Sequence, residues 1–422
     1  MSLWRRILSG VLLICSSVYA GEVYIIGTAD LHGNIWNLAK LAPVFRRYPE
    51  AVKVDGGDSL QGNYAVTELC GNPVIGALNY LNYDVWVPGN HEFEFRQSDF
   101  ERWAKDFRGT ILGAQWQYGS YRPAGHTVIR RGKYRIGLIG LSESGMAAKQ
   151  HLVPELKWQD EISSLRQAVT ALKQEKCHAV ILVCHIALRG SYGEIYRLLQ
   201  AFPEIDAVIS GHSHREHYGD QISGRVVAQA ASHGRSAVLL TLHFGDDEVL
   251  EYTTSRLLFP DGARDKTLVQ IARRAERAVY KRAEKYYGDF PDAGYFGNIA
   301  AGVLRQAVGA DAALVSFNEK YFRCRMTGRS LFDLFPFGNR LVTVTMDAAE
   351  LRRWGVRYEA PPRRCFVSIA PEISGSRVKV VMSDFLCTRI PELKNAEVEV
   401  LPVFERETIA GQLEKLLSGT IL

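Results

Sequence analysis

The chain has 422 residues, 47% of them hydrophobic and 23% charged, with a formal net charge of +5. This is ordinary for a soluble globular protein, and long enough for two domains with separate cores. Lys and Arg are spread along the chain, so no nucleic-acid polymer is expected as a partner, while an anionic small-molecule substrate is compatible with the charge balance.

Residues 1–20 read as a secretory signal peptide. MSLWRR brings two arginines, ILSGVLLICSS is an apolar run too short to span a bilayer, and Val18 and Ala20 offer small-residue positions before Gly21. Ile14 precedes Cys15 where a lipoprotein signal wants a small residue, which argues against lipid attachment. The expectation is an exported chain, periplasmic or secreted, with no membrane span after cleavage. Six cysteines follow: Cys70, Cys177, Cys184, Cys324, Cys365 and Cys387. Their even number permits disulfides, and the absence of a CxxC pair argues against a zinc ribbon or redox motif.

From Gly21 to about Pro260, short apolar strands alternate with amphipathic helices. Predicted strands are Val23–Ile26, Val52–Asp55, Val85–Pro88, Thr110–Leu112, Ile136–Leu141, Val180–Cys184 and Ala207–Ile209, with Val226–Gln229 and Val238–His243 as extensions. Helices are expected over Ile35–Arg47, Val66–Asn82 and Gln159–Lys176. This alternation predicts a layered α/β domain over residues 21–260, with functional residues on loops beyond the carboxyl ends of strands. A polar helix from Lys266 to about Tyr287 reads as a connector within residues 261–289. A smaller α+β domain is expected over 290–405, with helices Asn298–Val308, Ser330–Phe335 and Asp347–Trp354 and strands Ala313–Ser316, Leu341–Thr345 and Val378–Met382. Residues 406–422 form a tail with helical character. Nothing in the residues sets an oligomeric state.

Five strand-to-loop junctions of the first domain carry ligand-type side chains. TADLHGN gives Asp30 and His32, GGDS gives Asp58, PGNHE gives Asn90 and His91, VCHIAL gives His185, and SGHSH gives His212 and His214. Each junction alone is a weak signal; five in one domain point to a metal site. Imidazole, carboxylate and amide oxygen without thiolate suit divalent Mn, Fe, Co, Zn or Ni. Seven candidate groups are too many for one ion and enough for two, with Asp58 able to bridge. Two ions about 3.5–4 Å apart can clamp the attacking and leaving oxygens of an in-line displacement at phosphorus and lower the pKa of a shared water.

The order D-x-H, GD, GNH, H, GH-x-H resembles the metallophosphoesterase (calcineurin-like) superfamily. The strings GGDSLQGN, PGNHEFEF and SGHSH narrow the resemblance to its secreted 5′-nucleotidase family. Gly297–Asn298, VSFNEKYFRCRMTG, LFPFGNRLV and SDFLC fall in that family's C-terminal order. The resemblance implies a four-layer sandwich joined to a substrate-binding domain that closes over it. It also implies cleavage of nucleotide phosphate esters by in-line attack of a metal-bridging hydroxide. Alternatives on the same scaffold are a 2′,3′-cyclic nucleotide phosphodiesterase, a nucleotide-sugar hydrolase and a non-nucleotide phosphatase. A non-catalytic nucleotide- or metal-binding protein is disfavoured, because all seven ligand positions are present.

The resemblance places one metal on Asp30, His32, Asp58 and His214, and the other on Asp58, Asn90, His185 and His212. His91 is implied as general acid and electrostatic stabiliser. The residue that orients it is aspartate in the family and Glu94 here, one methylene longer. In the second domain the resemblance implies Asn318 and Arg323 as substrate contacts, and Phe337 and Phe385 as an aromatic sandwich for the nucleobase. The family's three glycines before the arginine are Glu319, Lys320 and Tyr321 here, and its Gly-Gly-Asp after the second phenylalanine reads Arg389, Ile390 and Pro391. These departures leave phosphoester hydrolysis better supported than any one substrate.

Overall fold

Strand Gly21–Thr28 lies inside a six-stranded sheet ordered Leu250–Leu258, Ala237–Phe244, Gly21–Thr28, Val52–Asp55, Val85–Trp86, Thr110–Ile111. It runs antiparallel to Ala237–Phe244 and parallel to Val52–Asp55. This computed structural model describes residues 21–143, 145–146, 150–188, 193–351, 363–370, 375–390, 393 and 396–420. The expected signal peptide, residues 1–20, lies outside the described residues.

The sequence VYII is apolar on consecutive positions because both faces of its sheet are covered. Ile25 packs inward with Val23, Val52, Val54 and Val85 against Ile136, Leu138, Ile181 and Ile209 of a second sheet. That sheet is ordered His217–Ile222, Arg225–Gln229, Ala207–Ser210, Ala179–Cys184, Tyr134–Leu141, His126–Arg131. Ile26 points the other way, into a core shared with helices Ile35–Phe45, Asn72–Tyr80 and Gln97–Asp106. Helices Glu161–Gln174 and Glu194–Ala201 cover the outer face of the second sheet through Leu165, Leu172, Leu198 and Leu199. The result is four layers, helix–sheet–sheet–helix. Parallel neighbours such as Val52–Asp55, Val85–Trp86 and Thr110–Ile111 end on one edge, where the loops carrying the site begin.

Two expectations are corrected. The stretch Val66–Asn82 is two helices, Tyr64–Glu68 and Asn72–Tyr80, because Cys70 and Gly71 take left-handed φ of 50° and 72° and Pro73 follows. The basic helix stops at Ala283, and Tyr286–Asp289 is a strand paired with Arg325–Thr327. That helix packs on both halves: Leu268 and Ala272 enter the first core, and Ala275 and Val279 meet Tyr64, Ala65 and Phe332. The six cysteines after Ala20 are all free thiols; Cys184, Cys365 and Cys387 are buried.

The C-terminal half is a five-stranded sheet ordered Arg363–Ile369, Ala312–Asn318, Arg377–Ser383, Arg340–Asp347, Val398–Phe404. Its two edge strands escape the sequence reading, as mixed-polarity edges do; Pro402 sits in one of them. Helix Ala293–Val308 covers one face through Phe296, Ala300 and Leu304. The terminal helix Glu405–Leu417 joins the same core with Ile409 and Leu413. Residues 348–351 begin the helix expected from Asp347, and its continuation to Trp354 lies outside the described residues.

Glu405 opens the terminal helix with a buried carboxyl. Asn339 Nδ2 donates to one oxygen at 3.2 Å, and the other oxygen has no partner among the described residues. Burial pushes its pKa up to about 8, against the opposing bond from Asn339. A raised carboxyl stabilises fully below the unfolded value near 4.5, and that stability is lost as pH rises through 8. Glu405→Gln, isosteric and neutral, is therefore expected to gain about 2–4 kcal/mol over the native chain at pH 8.5 and almost nothing at pH 4.5. Denaturant titrations at the two pH values measure it.

Candidate metal centre

Three of the five loops place their side chains by unusual backbone conformations. Asp30, His32, Asp58, His212 and His214 have φ of 52°, 45°, 52°, 77° and 58°. Non-glycine residues seldom occupy this region, and each costs of order 1–3 kcal/mol unless its surroundings enforce it. Hydrogen bonds between neighbouring loops supply the enforcement: Asp30 N to Gly57 O at 2.7 Å, His32 N to Asp58 O at 2.9 Å and Gly33 N to Ser59 O at 2.9 Å. Gly89 lets a third loop approach, since a Cβ there would lie 2.2 Å from Asp58 Oδ1.

The side chains converge in two groups. Asp30, His32 and His214 form one, and Asp58, His185 and His212 form the other; within each, the donor atoms lie within 4.8 Å of one another. Asp30 and Asp58 are buried carboxylates, 0% and 2% exposed. His32 Nε2 is 3.0 Å from His214 Nε2, and His214 Nε2 is 3.3 Å from Asp30 Oδ1. In the second group His185 Nε2 is 3.0 Å from Asp58 Oδ2 and 3.3 Å from His212 Nδ1. Asn90 Oδ1 joins this group, 3.0 Å from His212 Nδ1. The groups are adjacent: the His212 N–H donates to the Asp30 carboxylate at 3.0 Å. Buried carboxylates facing imidazoles, with no Lys or Arg paired to them among the described residues, fit two divalent ions. His185 Nδ1 meets the Gly56 carbonyl at 2.7 Å, which leaves Nε2 free as a ligand atom.

Electrostatics follow from this packing. Burial pushes His32 down to about 4. Burial also disfavours charge on His185 and His91, but Asp58 beside the first, and Glu94 with Asp58 beside the second, outweigh it and raise both to about 10. Asp58 is held well below the usual carboxylate range: burial works against its charge, and His185 and His91 overcome burial.

His91 stands beside both groups. Its backbone N–H donates to Asp58 Oδ1 at 2.9 Å, and its Nδ1–H donates to Glu94 Oε1 at 2.6 Å. Glu94 thus reaches the imidazole despite its extra methylene. The Phe337 ring lies against the imidazole, with centroids 5.4 Å apart and planes 12° apart.

Between the two halves runs a cleft lined by Asn90, Glu94, Gly338, Arg340, Asp384 and Phe385, among others. Phe385 faces this cleft with the Arg389 guanidinium 5.0 Å from its ring centroid. Asn318 and Arg323 are not among its lining residues. Asn318 Oδ1 accepts from the Lys320 N–H, and Arg323, exposed, donates to the Phe322 carbonyl at 2.8 Å. The structure therefore brings the seven ligand candidates, His91, Glu94 and Phe337 together, sets Phe385 in the cleft beside them, and leaves Asn318 and Arg323 apart.

Residues 23–216 match the calcineurin-like phosphoesterase family. Residues 23–216 thus carry a calcineurin-like phosphoesterase domain. Curated relatives of this chain include the Bacillus subtilis trifunctional nucleotide phosphoesterase protein YfkN, 26% identical over 245 residues, which are 45% of this chain and 16% of the relative. The Bos taurus 5′-nucleotidase is 25% identical over 193 residues, 43% of this chain and 32% of the relative. The chain thus spans less than a third of the length of either. Among solved structures, a Staphylococcus aureus protein assigned as a 5′-nucleotidase, in complex with α-ketoglutarate, superposes with a TM-score of 0.74 at 17% identity, covering 93% of this chain and 97% of that one. A 5′-nucleotidase precursor from Thermus thermophilus gives 0.64 at 17% identity, over 94% and 97%. These likenesses show the fold. Among the described residues no helix is long and apolar enough to cross a membrane.

The sequence reading passes over Glu92, Asp55 and His233. The fully buried Glu92 carboxylate accepts four backbone N–H bonds, from Asp58, Ser59, Leu60 and Gly89, at 2.6–3.0 Å. It staples the Asp58 loop to the Asn90 loop. Asp55 does the same work one step back, accepting from Thr28 Oγ1, Ser59 Oγ and the Gly57 N–H. His233, itself at φ 59°, brings a third imidazole to within 5.2 Å of the His32 ring. Glu92 lies inside the string PGNHE, but a carboxylate aimed at backbone leaves no periodic trace. Glu92→Gln turns an amide N–H₂ toward two donors, and is expected to cost about 2–4 kcal/mol of unfolding free energy. Urea denaturation of the metal-free protein checks it.

Proposed function

We propose that this chain is an exported two-metal phosphohydrolase that cleaves phosphate esters of nucleotides. The observation that carries the reading is the pair of three-residue ligand groups lying edge to edge, with His91 against Asp58. Asp30, His32, Asp58 and His214 would hold one divalent ion, and Asp58, Asn90, His185 and His212 the other. Bound there, the ions would neutralise phosphoryl charge and make water a competent nucleophile near neutral pH.

The chain's own side chains do the rest. Glu92 and the inter-loop bonds hold Asp58 in place. In the metal-free fold Glu94 and Asp58 favour the protonated form of His91. With Nδ1 committed to Glu94, its Nε2 is the atom that faces the reaction, where it can stabilise the phosphoryl oxygens and protonate the leaving oxygen. Phe337 and Phe385 flank the entrance for a leaving group. The signal-like residues 1–20 and relatives such as the snake venom 5′-nucleotidases support export.

A panel of AMP, 2′,3′-cyclic AMP, a nucleotide sugar and p-nitrophenyl phosphate, run on the purified protein with metal analysis, tests the reading. AMP should be preferred, and Phe337→Ala should erode that preference. A second reading, a phosphatase for non-nucleotide esters, is favoured by one observation: Arg389 covers a face of Phe385, and Asn318 and Arg323 stay out of the cleft. Equal rates on AMP and the aryl phosphate, indifferent to Phe337→Ala, would select it. Metal-replete protein inert on the whole panel would leave only a binding protein.

A further inference from the structure

Glu94 uses both oxygens. Oε1 accepts from His91 Nδ1–H at 2.6 Å, and Oε2 accepts the backbone N–H of Gly338 at 3.0 Å, from a turn 244 residues further along the chain. The contact requires glycine at 338: a Cβ there would fall 2.5 Å from the Glu94 carbonyl oxygen and 3.1 Å from its Cβ. The two preceding residues also touch the metal-binding half. Phe337 lies flat against the His91 ring, and Gln61 Nε2 donates to the Pro336 carbonyl at 2.7 Å. The imidazole is thus held at its edge by a carboxylate and on its face by a ring. Both holds depend on one turn, Pro336–Gly338, of the opposite half. An aspartate at 94 is one methylene shorter, and its reach toward His91 and Gly338 is shorter by that much.

We propose that seating of the Pro336–Gly338 turn positions His91 for proton donation, with Glu94 as the link and Gly338 as the positioning residue. The inference rests on His91 acting as the acid. The step concerned is the displacement at phosphorus: a water oxygen bonds to phosphorus and gives up a proton, the P–O ester bond breaks with its electron pair leaving on the ester oxygen, and the proton from His91 Nε2 neutralises that oxygen. When the turn is unseated, Glu94 loses its second anchor and the imidazole its stacking partner. The acid is then incompletely oriented while the ligand groups stay as they are. Substrate capture by the C-terminal half and readiness of the acid are in this way one event.

Gly338→Ala and Glu94→Asp test this, compared on AMP, whose alkoxide needs a proton, and on p-nitrophenyl phosphate, whose phenolate leaves with little help. In each variant kcat on AMP is expected to fall by up to about 100-fold, as for a small misplacement of a catalytic group. The aryl phosphate rate should fall much less than the AMP rate, and metal content and melting temperature should change little. The double variant should be no slower than either single one, because both cut the same link. Equal slowing on the two esters, or additive losses, would overturn the proposal, and so would variants that keep the native ratio of rates. His91→Ala separates the layers. Full AMP turnover without His91 removes the acid itself. Loss of AMP turnover without His91, alongside unaffected Gly338→Ala and Glu94→Asp, removes only the coupling.

Discussion

His91→Ala is expected to bind its full complement of divalent metal yet hydrolyse AMP about 10²–10⁴-fold more slowly, the range for removal of a positioned general acid. The first half of this outcome follows from geometry. His91 contributes only its backbone N–H to Asp58 at short range, and its Nε2 is 3.8 Å from Asp58 Oδ2, so the ligand groups do not depend on its ring. The second half follows from electrostatics. With Glu94 and Asp58 beside it, the imidazole stays protonated up to about pH 10 in the metal-free fold. A protonated imidazole there can give its proton to a developing alkoxide. Metal analysis together with steady-state kinetics decides the matter, and unchanged kcat in this variant would sink the assignment. The loss should shrink on p-nitrophenyl phosphate.

Asp58→Ala is expected to be more damaging, bringing metal content down and turnover to the level of the chelator-treated protein. Asp58 is the buried carboxylate on which His185 Nε2, the His91 N–H and, through charge, His32 all depend. Removing it leaves His185 without its counter-charge and takes from the proposed pair of ions their only shared ligand. The fold should survive, because the Asp58 loop is held by its backbone: Asp58, Ser59 and Leu60 N–H bonds to Glu92 do not involve the lost side chain. Equilibrium dialysis against Mn²⁺ or Zn²⁺, with circular dichroism as the fold control, measures both halves. Native metal stoichiometry in Asp58→Ala would remove Asp58 from the centre.

What each level of description determines follows from the range of the forces involved. Asp30, His32, Asp58, Asn90, His185, His212 and His214 are legible because each sits one to four residues past an apolar strand, and strands are announced by short-range patterning. Val52–Asp55 is read to the residue, and Ala179–Cys184 to within one. The same local rule misreads Val66–Asn82, where the left-handed Cys70–Gly71 pair breaks a periodic stretch. It also misses Arg363–Ile369 and Val398–Phe404, edge strands whose polarity is mixed.

The sequence by itself determined which side chains could bind metal and that a layered α/β domain carries them. Only the tertiary structure decided that Glu92 binds four backbone N–H groups, that Asn318 and Arg323 lie off the cleft, and that Glu94 joins His91 to Gly338. The physical reason is that these are single contacts between segments tens to hundreds of residues apart. Their partners are chosen by how the layers and halves pack, and they leave no period, spacing or composition in the chain that makes them.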